Sequence, residues 1–204
     1  MKILLTGGSG LLGKELQKYI KCYAPSHKEM DITKTKTLKG EYDLIIHCAA
    51  YTDVLKAEVE PNKCLETNVT GTLNLIQAFP DTPFVYISTE YAINPINFYS
   101  RTKRLGEEIV SFYDNYLIIR TVFKPKPFPW DKAFVDQYTE GDYVDVIAPL
   151  IAREIGEWDR ITSTVSHVGT GRKTMLELAK RTKPNVQPIS VNDIKNVKLP
   201  TDYL

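Results

Sequence analysis

A chain of 204 residues, 43% apolar and 25% charged, is long enough to bury one sizeable core and has the make-up of an ordinary soluble globular protein. Its net charge of +1 argues against a nucleic-acid binder that works through a broad basic surface. The apolar run at 3–5 stops at glycines and reads as neither signal peptide nor membrane span; Cys22, Cys48 and Cys64 lack metal-ligand spacing and fit a reducing cytoplasmic compartment.

Taken in chain order, residues 2–6 form a short apolar run ending at glycines, the pattern of a buried parallel strand. Residues 11–22 follow with Leu12, Leu16, Tyr19 and Ile20 at helical spacing, and 22–26 is a short strand candidate leading into a polar connection. A second clear strand spans 43–48. Residues 62–79 read as one helix with Leu65, Val69, Leu73 and Ile76 on a stripe. A strand at 84–88, a long helix at 99–113 and a strand at 115–121 complete the alternation. Strand and helix repeated in this way imply an α/β fold, a Rossmann-type doubly wound parallel sheet covered on both faces. Beyond residue 121 the pattern changes. Three prolines, at 125, 127 and 129, make a loop of that stretch. Helices are expected at 144–155 and 174–183, with extended chain from 184. The expected organisation is a dinucleotide-binding core at 1–121 and a small substrate lobe at 122–204 packed on the same domain.

The first chemistry lies in Thr6-Gly7-Gly8-Ser9-Gly10-Leu11-Leu12-Gly13. Gly7, Gly10 and Gly13 follow a strand and open a helix, which lets backbone amides approach a pyrophosphate, with Ser9, Leu11 and Leu12 lining the same turn. The second lies in Tyr99 and Lys103. Four residues apart on a helix, they share a face, where an ammonium can lower a phenol's pKa and make it a usable acid.

The glycine spacing, the small-residue segment His47-Cys48-Ala49-Ala50-Tyr51-Thr52, the Asn68-Val69-Thr70-Gly71-Thr72 segment and the Tyr99/Lys103 pair together resemble the extended short-chain dehydrogenases. Asp31-Ile32-Thr33 and Ser88-Thr89-Glu90-Tyr91 resemble the dTDP-4-dehydrorhamnose reductase branch. The resemblance covers residues 1–121 with specific motifs and is looser beyond; the chain is also shorter than such proteins usually are. It implies an NAD(P)-dependent reductase of a 4-keto-6-deoxy nucleotide-sugar. Tyr99 would be the proton donor, Lys103 would stabilise its phenolate and hold the ribose, and Thr89, rather than Ser88, would orient the substrate carbonyl. Asp31 and Ile32 would border the adenine, and Cys48, Ala49, Ala50, Tyr51 and Asn68 would lie along the cofactor. An epimerase of similar sugars would use the same pair, and a non-catalytic dinucleotide-binding protein would keep the fold alone.

Ser26, His27 and Lys28 stand where basic character suits a 2'-phosphate, so NADP(H) is preferred to NAD(H). Arg120, Lys124, Lys126 and Arg153 are candidates for a substrate diphosphate, and Phe123, Phe128 and Trp130 for a nucleobase. Ser88, Thr89 and Glu90 complete the expected substrate set. His47 reads as a packing residue, and Asp142 and Asp145 as a turn and helix cap. The long helix at 99–113 is of the kind that pairs in a homodimer.

Overall fold

The computed structural model describes residues 1–202; the last two residues of the expected lobe, 203 and 204, lie outside it. β1 (Ile3–Thr6) is buried along its whole length, as a strand with helices over both faces must be. It runs into the glycine loop and α1 (Leu11–Leu16), which is shorter than the expected helix at 11–22. The amide of Gln17 explains the early end, because it donates to the carbonyls of Gly8 and Gly13 and ties the helix back to the loop. The strand candidate at 22–26 contributes a single parallel bridge, Tyr23 beside Leu4.

β2 (Leu44–His47) leads through small residues to α2 (Val54–Val59), capped by the Asp53 side chain. The single helix expected at 62–79 is instead α3 (Pro61–Leu65), a wide π turn at Glu66–Thr70 and α4 (Gly71–Ala78). The cause is Asn68, whose amide accepts from Tyr51 N at 2.7 Å and donates to Tyr51 O and Thr102 Oγ1, pulling the turn open. β3 (Phe84–Thr89) precedes α5 (Phe98–Ser111), whose Asn97 and Ser100 form a capping box. β4 (Tyr116–Thr121) follows.

The chain then leaves the sheet through short strands β5 (Phe123–Lys124), β6 (Lys132–Phe134), β7 (Tyr138–Thr139) and β8 (Asp142–Tyr143). It returns as α6 (Val144–Glu157) and β9 (Thr164–His167), and leaves again through β10 (Lys173–Thr174), α7 (Met175–Lys180) and β11 (Gln187–Ile189). The order across the main sheet is β1-β2-β3-β4-β9, every pair parallel, with the Tyr23 bridge on the far side of β1. This is the doubly wound Rossmann-type architecture.

Alternate residues of each strand enter two cores. Leu5, Ile46, Val85 and Ile119 pack with Leu12 and Leu16 of α1 and Ile147 and Ile151 of α6. Leu4, Ile45, Tyr86 and Ile118 pack with Leu75 of α4 and Val110 of α5. A third core, including Met175, Leu178 and Phe128, holds the lobe together. Residue 121 therefore divides the sequence but not the layers, because α6 and β9 beyond it complete the sheet. β11 pairs with β6 and β10 with β7, so the lobe is assembled from two separate passes of the chain.

The expected cap at Asp142 and Asp145 is corrected. Tyr143 occupies the N-cap of α6 without a side-chain bond. Asp142 is spent on Tyr143 N, Thr170 Oγ1 and Arg181, and Asp145 pairs with Lys126 at 2.8 Å. His47 is the packing residue expected. Its ring sits between Thr6 Oγ1 and Thr72 Oγ1, and burial, with the nearby Lys103, pushes its pKa down to about 3.

Candidate active site

A cleft of about 590 Å³ opens at the carboxyl ends of the strands, at the switch point where the chain leaves β1 first towards Tyr23 and then towards β2. Its floor is the glycine loop. Gly7 has φ +71°, and a Cβ there would lie 2.5 Å from the backbone nitrogen of Ala49. A Cβ on Gly13 would lie 2.3 Å from the Gly7 carbonyl oxygen. These glycines let loop, helix and β2 close together. Gly10 differs: a Cβ would meet only the Gly7 oxygen, at 3.2 Å, and its backbone borders the cleft.

One end of the cleft is lined by His27, Ile32 and Thr33. Asp31 lies just behind. Burial works against its carboxylate, but bonds from Thr33 Oγ1, Lys34 and Thr33 N hold its pKa down to about 2. Lys34 Nζ lies 3.0 Å from it, so its charge is matched by a cation, and the His27 ring approaches at 3.6 Å.

The other end is formed by β3, α5 and β4. Ser88, Thr89, Tyr91, Tyr99 and Lys103 line it together with Thr121 and Lys124. Asn97 fixes the start of α5 at a set depth, which places Tyr99 one turn before Lys103 against the end of β3. Tyr99 packs edge-on against Tyr91, with ring centroids 6.4 Å apart. Burial is the main reason its phenol pKa is raised, Tyr91 adds to this, and a bond with Thr89 opposes it. Lys103 donates to the carbonyl of Ile87 at 2.8 Å and lies 4.0 Å from the centre of the Tyr86 ring. Burial pushes its pKa down to about 7, with Glu107 pulling the other way. The lowered phenol pKa expected from the sequence is thus not the balance struck here, where desolvation of both groups outweighs their charges.

The expected site residues divide into two groups. Gly7, Ser9, Gly10, Leu11, Leu12, Gly13, His27, Ile32, Cys48, Ala49, Ala50, Ser88, Thr89, Tyr99, Lys103, Lys124 and Trp130 border the cleft. Ser26, Lys28, Asp31, Tyr51, Asn68, Glu90, Arg120 and Arg153 are not among its lining. The Tyr51 hydroxyl is held by Glu60 at 2.7 Å. Arg120 meets Glu107 through Nε at 3.0 Å and Nη2 at 2.6 Å. Arg153 is exposed on α6, 4.0 Å from Glu157, and α6 covers a face of the sheet instead of its edge. Glu90 is buried and bonded to the lobe. Phe128 is buried in the lobe core against Trp130, whereas Trp130 is half exposed and has Lys124 over its ring at 5.5 Å.

Glu107 escaped the sequence reading. It is buried one turn after Lys103, accepts from Ser88 Oγ at 2.5 Å and holds Arg120 by two bonds. The available signal was its i+4 spacing from Lys103, on the same helical face.

These features define a doubly wound, Rossmann-type α/β protein with its cleft at the strand switch point. Within that class the chain belongs to the RmlD substrate binding domain family, whose sequence profile matches residues 1–149. It is 30% identical over 174 residues to the dTDP-4-dehydrorhamnose reductase of Mycolicibacterium smegmatis, an alignment covering 73% of this chain and 50% of that one. It is 31% identical over 138 residues to a Methanocaldococcus jannaschii protein described as an uncharacterized membrane protein, covering 52% of this chain and 41% of the other. The chain thus spans about half the length of these curated relatives or less. Among solved structures, the dTDP-4-dehydrorhamnose reductase of Bacillus anthracis in complex with NADP superposes with a TM-score of 0.85 at 26% identity, covering 98% of this chain and 88% of that one. Among the described residues, no helix is long and apolar enough to cross a membrane.

Proposed function

We propose that the protein is a cytoplasmic NADP(H)-dependent reductase that converts the ketone of a 4-keto-6-deoxy nucleotide-sugar to an alcohol. The observation that carries this reading is the convergence of Thr89, Tyr99 and Lys103 on one end of a cleft whose floor is the glycine loop. The dTDP-4-dehydrorhamnose reductases among its relatives support the substrate class.

The residues present fit a dinucleotide. The open backbone at Gly10 and the small side chains of Cys48, Ala49 and Ala50 leave a cradle that larger side chains would fill. Lys34 pairs with Asp31, which offsets the negative charge that would repel a 2'-phosphate, and the His27 ring lies beside the pair; this supports NADP(H) over NAD(H). The bound reduced nicotinamide supplies the hydride.

As negative charge grows on the ketone oxygen, Tyr99 gives it a proton. Its raised pKa keeps that proton on the phenol at neutral pH, as a donor requires. Lys103, buried on the same face of α5, stabilises the phenolate left behind. Thr89, at the end of β3, donates to the same oxygen and fixes its direction. Lys124 and Trp130 border the substrate end, where a cation and an aromatic face suit a diphosphate and a base. A homodimer through α5, on which Leu105 is exposed and past whose end Phe112 stands free of the core, belongs to the same proposal and is read by sedimentation.

The test is NADPH oxidation by the purified protein with dTDP-4-dehydrorhamnose. Tyr99→Phe is expected to cut kcat by about 10²- to 10⁴-fold, the usual contribution of a general acid, while sparing NADPH affinity. Equal turnover by the variant would remove Tyr99 as the acid, and failure of the wild-type protein to bind either dinucleotide would sink the whole reading.

A further inference from the structure

The sequence reading gave Glu90 to the substrate, yet its carboxylate never reaches the cleft. Thr89 and Tyr91 on either side of it line that space, while Glu90 is 1% exposed and turned towards the lobe. One oxygen accepts from Thr139 Oγ1 at 2.7 Å, and the other accepts from Glu140 N at 3.1 Å and lies 3.2 Å from His167 Nε2. The second ring nitrogen of His167 lies 3.4 Å from the Glu140 carboxylate. The Glu90 bond, against some cost of burial, raises the His167 pKa, with the Glu90 and Glu140 charges adding to it. Thr139 Oγ1 in turn accepts from Gly141 N at 2.9 Å.

The turn held in this way supports the 122–124 wall, which continues β4 past Thr121, the partner of Thr89, at the same end of the cleft. Gly141 lies so close to Val122 that a Cβ would come within 2.1 Å of the Val122 carbonyl oxygen. Asp142 N donates to that same oxygen at 3.2 Å, and β8 pairs with β5, which carries Phe123 and Lys124. A continuous set of contacts therefore runs from the end of β3, through Glu90 and the 139–141 turn, to the wall at 122–124. A buried carboxylate with three partners is an expensive group to keep unless its geometry matters.

We propose that Glu90 is a positioning residue that holds the 122–124 wall of the substrate side in place beyond the Thr89–Thr121 pair, where β3 and β4 stop pairing and the sheet no longer fixes it. The proposal rests on the reductase reading for its kinetic consequence, but its structural arm does not.

Glu90→Ala is expected to raise KM for dTDP-4-dehydrorhamnose about 10-fold, leave kcat within about 3-fold and NADPH affinity within about 2-fold, because the cofactor floor lies on the far side of the contact set. Glu90→Gln keeps an oxygen for Glu140 N and is expected to recover most of the loss; Thr139→Val removes one contact and is expected to give an intermediate KM. Hydrogen exchange needs no substrate. In Glu90→Ala, peptides over 120–124 and 139–143 are expected to exchange about 10-fold faster while β1, β2 and β3 keep their protection. A wild-type protein without turnover would end the reductase reading and leave the exchange arm to judge Glu90. Unchanged exchange in both segments overturns the positioning role. So does exchange accelerated evenly through the whole chain in both Glu90→Ala and Glu90→Gln. Should Glu90→Ala fail to fold, Glu90→Gln and Thr139→Val decide by the same two readouts.

Discussion

Replacing Glu107 by glutamine tests whether the buried ion pair behind the cleft does what its geometry implies. The side chain of Glu107 is 5% exposed and that of Arg120 21%, and they share two bonds of 3.0 and 2.6 Å while Ser88 supplies a third at 2.5 Å. A glutamine oxygen can keep the Ser88 bond. Its NH2 then faces the guanidinium, which leaves a largely buried cation unmatched. Breaking one side of a buried pair costs about 3–5 kcal/mol, and the residual exposure of Arg120 puts the expectation at about 3 kcal/mol. For a chain of this size that is a fall in Tm of roughly 6–12 °C. Denaturant unfolding of wild type, Glu107→Gln, Arg120→Met and the double variant measures it. The pair is expected to show a coupling of about 2 kcal/mol, since removing both partners leaves no orphan charge. Glu107 also raises the pKa of Lys103 against burial, so the variant moves that pKa further below about 7. A loss under about 0.5 kcal/mol, or additive single effects, would refute the reasoning.

The glycines of the loop should separate by what their added carbon meets. Gly13→Ala drives a Cβ to 2.3 Å from backbone and is expected to cost about 1–3 kcal/mol of stability, whereas Gly10→Ala should fold normally and lose NADPH affinity, read by calorimetry. The folded pKa of Asp31 is depressed from 3.8 to about 2, so its stabilisation is present above about pH 4 and lost as pH falls towards 2. That difference is worth about 2 kcal/mol, and Asp31→Asn should flatten the stability curve over that window in urea titrations. Arg153→Ala should leave KM within about 2-fold and stability within about 0.5 kcal/mol, since its partner Glu157 is as exposed as it is. A larger rise in KM would return Arg153 to the substrate.

The sheet was legible because β1, β2 and β3 are uninterrupted apolar runs between turn residues, and α5 because Tyr99 and Lys103 open a long run without Gly or Pro breaks until Gly106. β9 was not legible. It lies at the sheet edge with mostly exposed residues, Thr164, Val165, Ser166 and His167, and carries no apolar run to announce it. The π turn was hidden for a different reason: the stripe of Leu65, Val69, Leu73 and Ile76 satisfies a straight helix, and only the tertiary bonds of Asn68 to Tyr51 open it. At the site, the residues bordering the cleft were legible where a motif fixed their place at a strand end. Long charged side chains were not, because Arg120 and Arg153 can be placed near a ligand by sequence distance while their helical or strand face points elsewhere. The two-residue strands of the lobe are too short to show any period at all.

The two passes that build the lobe set an order on how the molecule comes into being. β6 and β7 leave the first pass without partners until β11 and β10 arrive, and those lie beyond β9 in the chain. During synthesis β6 and β7 must therefore wait unpaired, although β5 and β8 beside them already have each other, until the main sheet has gained its last strand and the second pass has emerged. The lobe is not one continuous stretch of chain. The part of the lobe around β6 and β7 therefore closes last, after the sheet it rests on is complete.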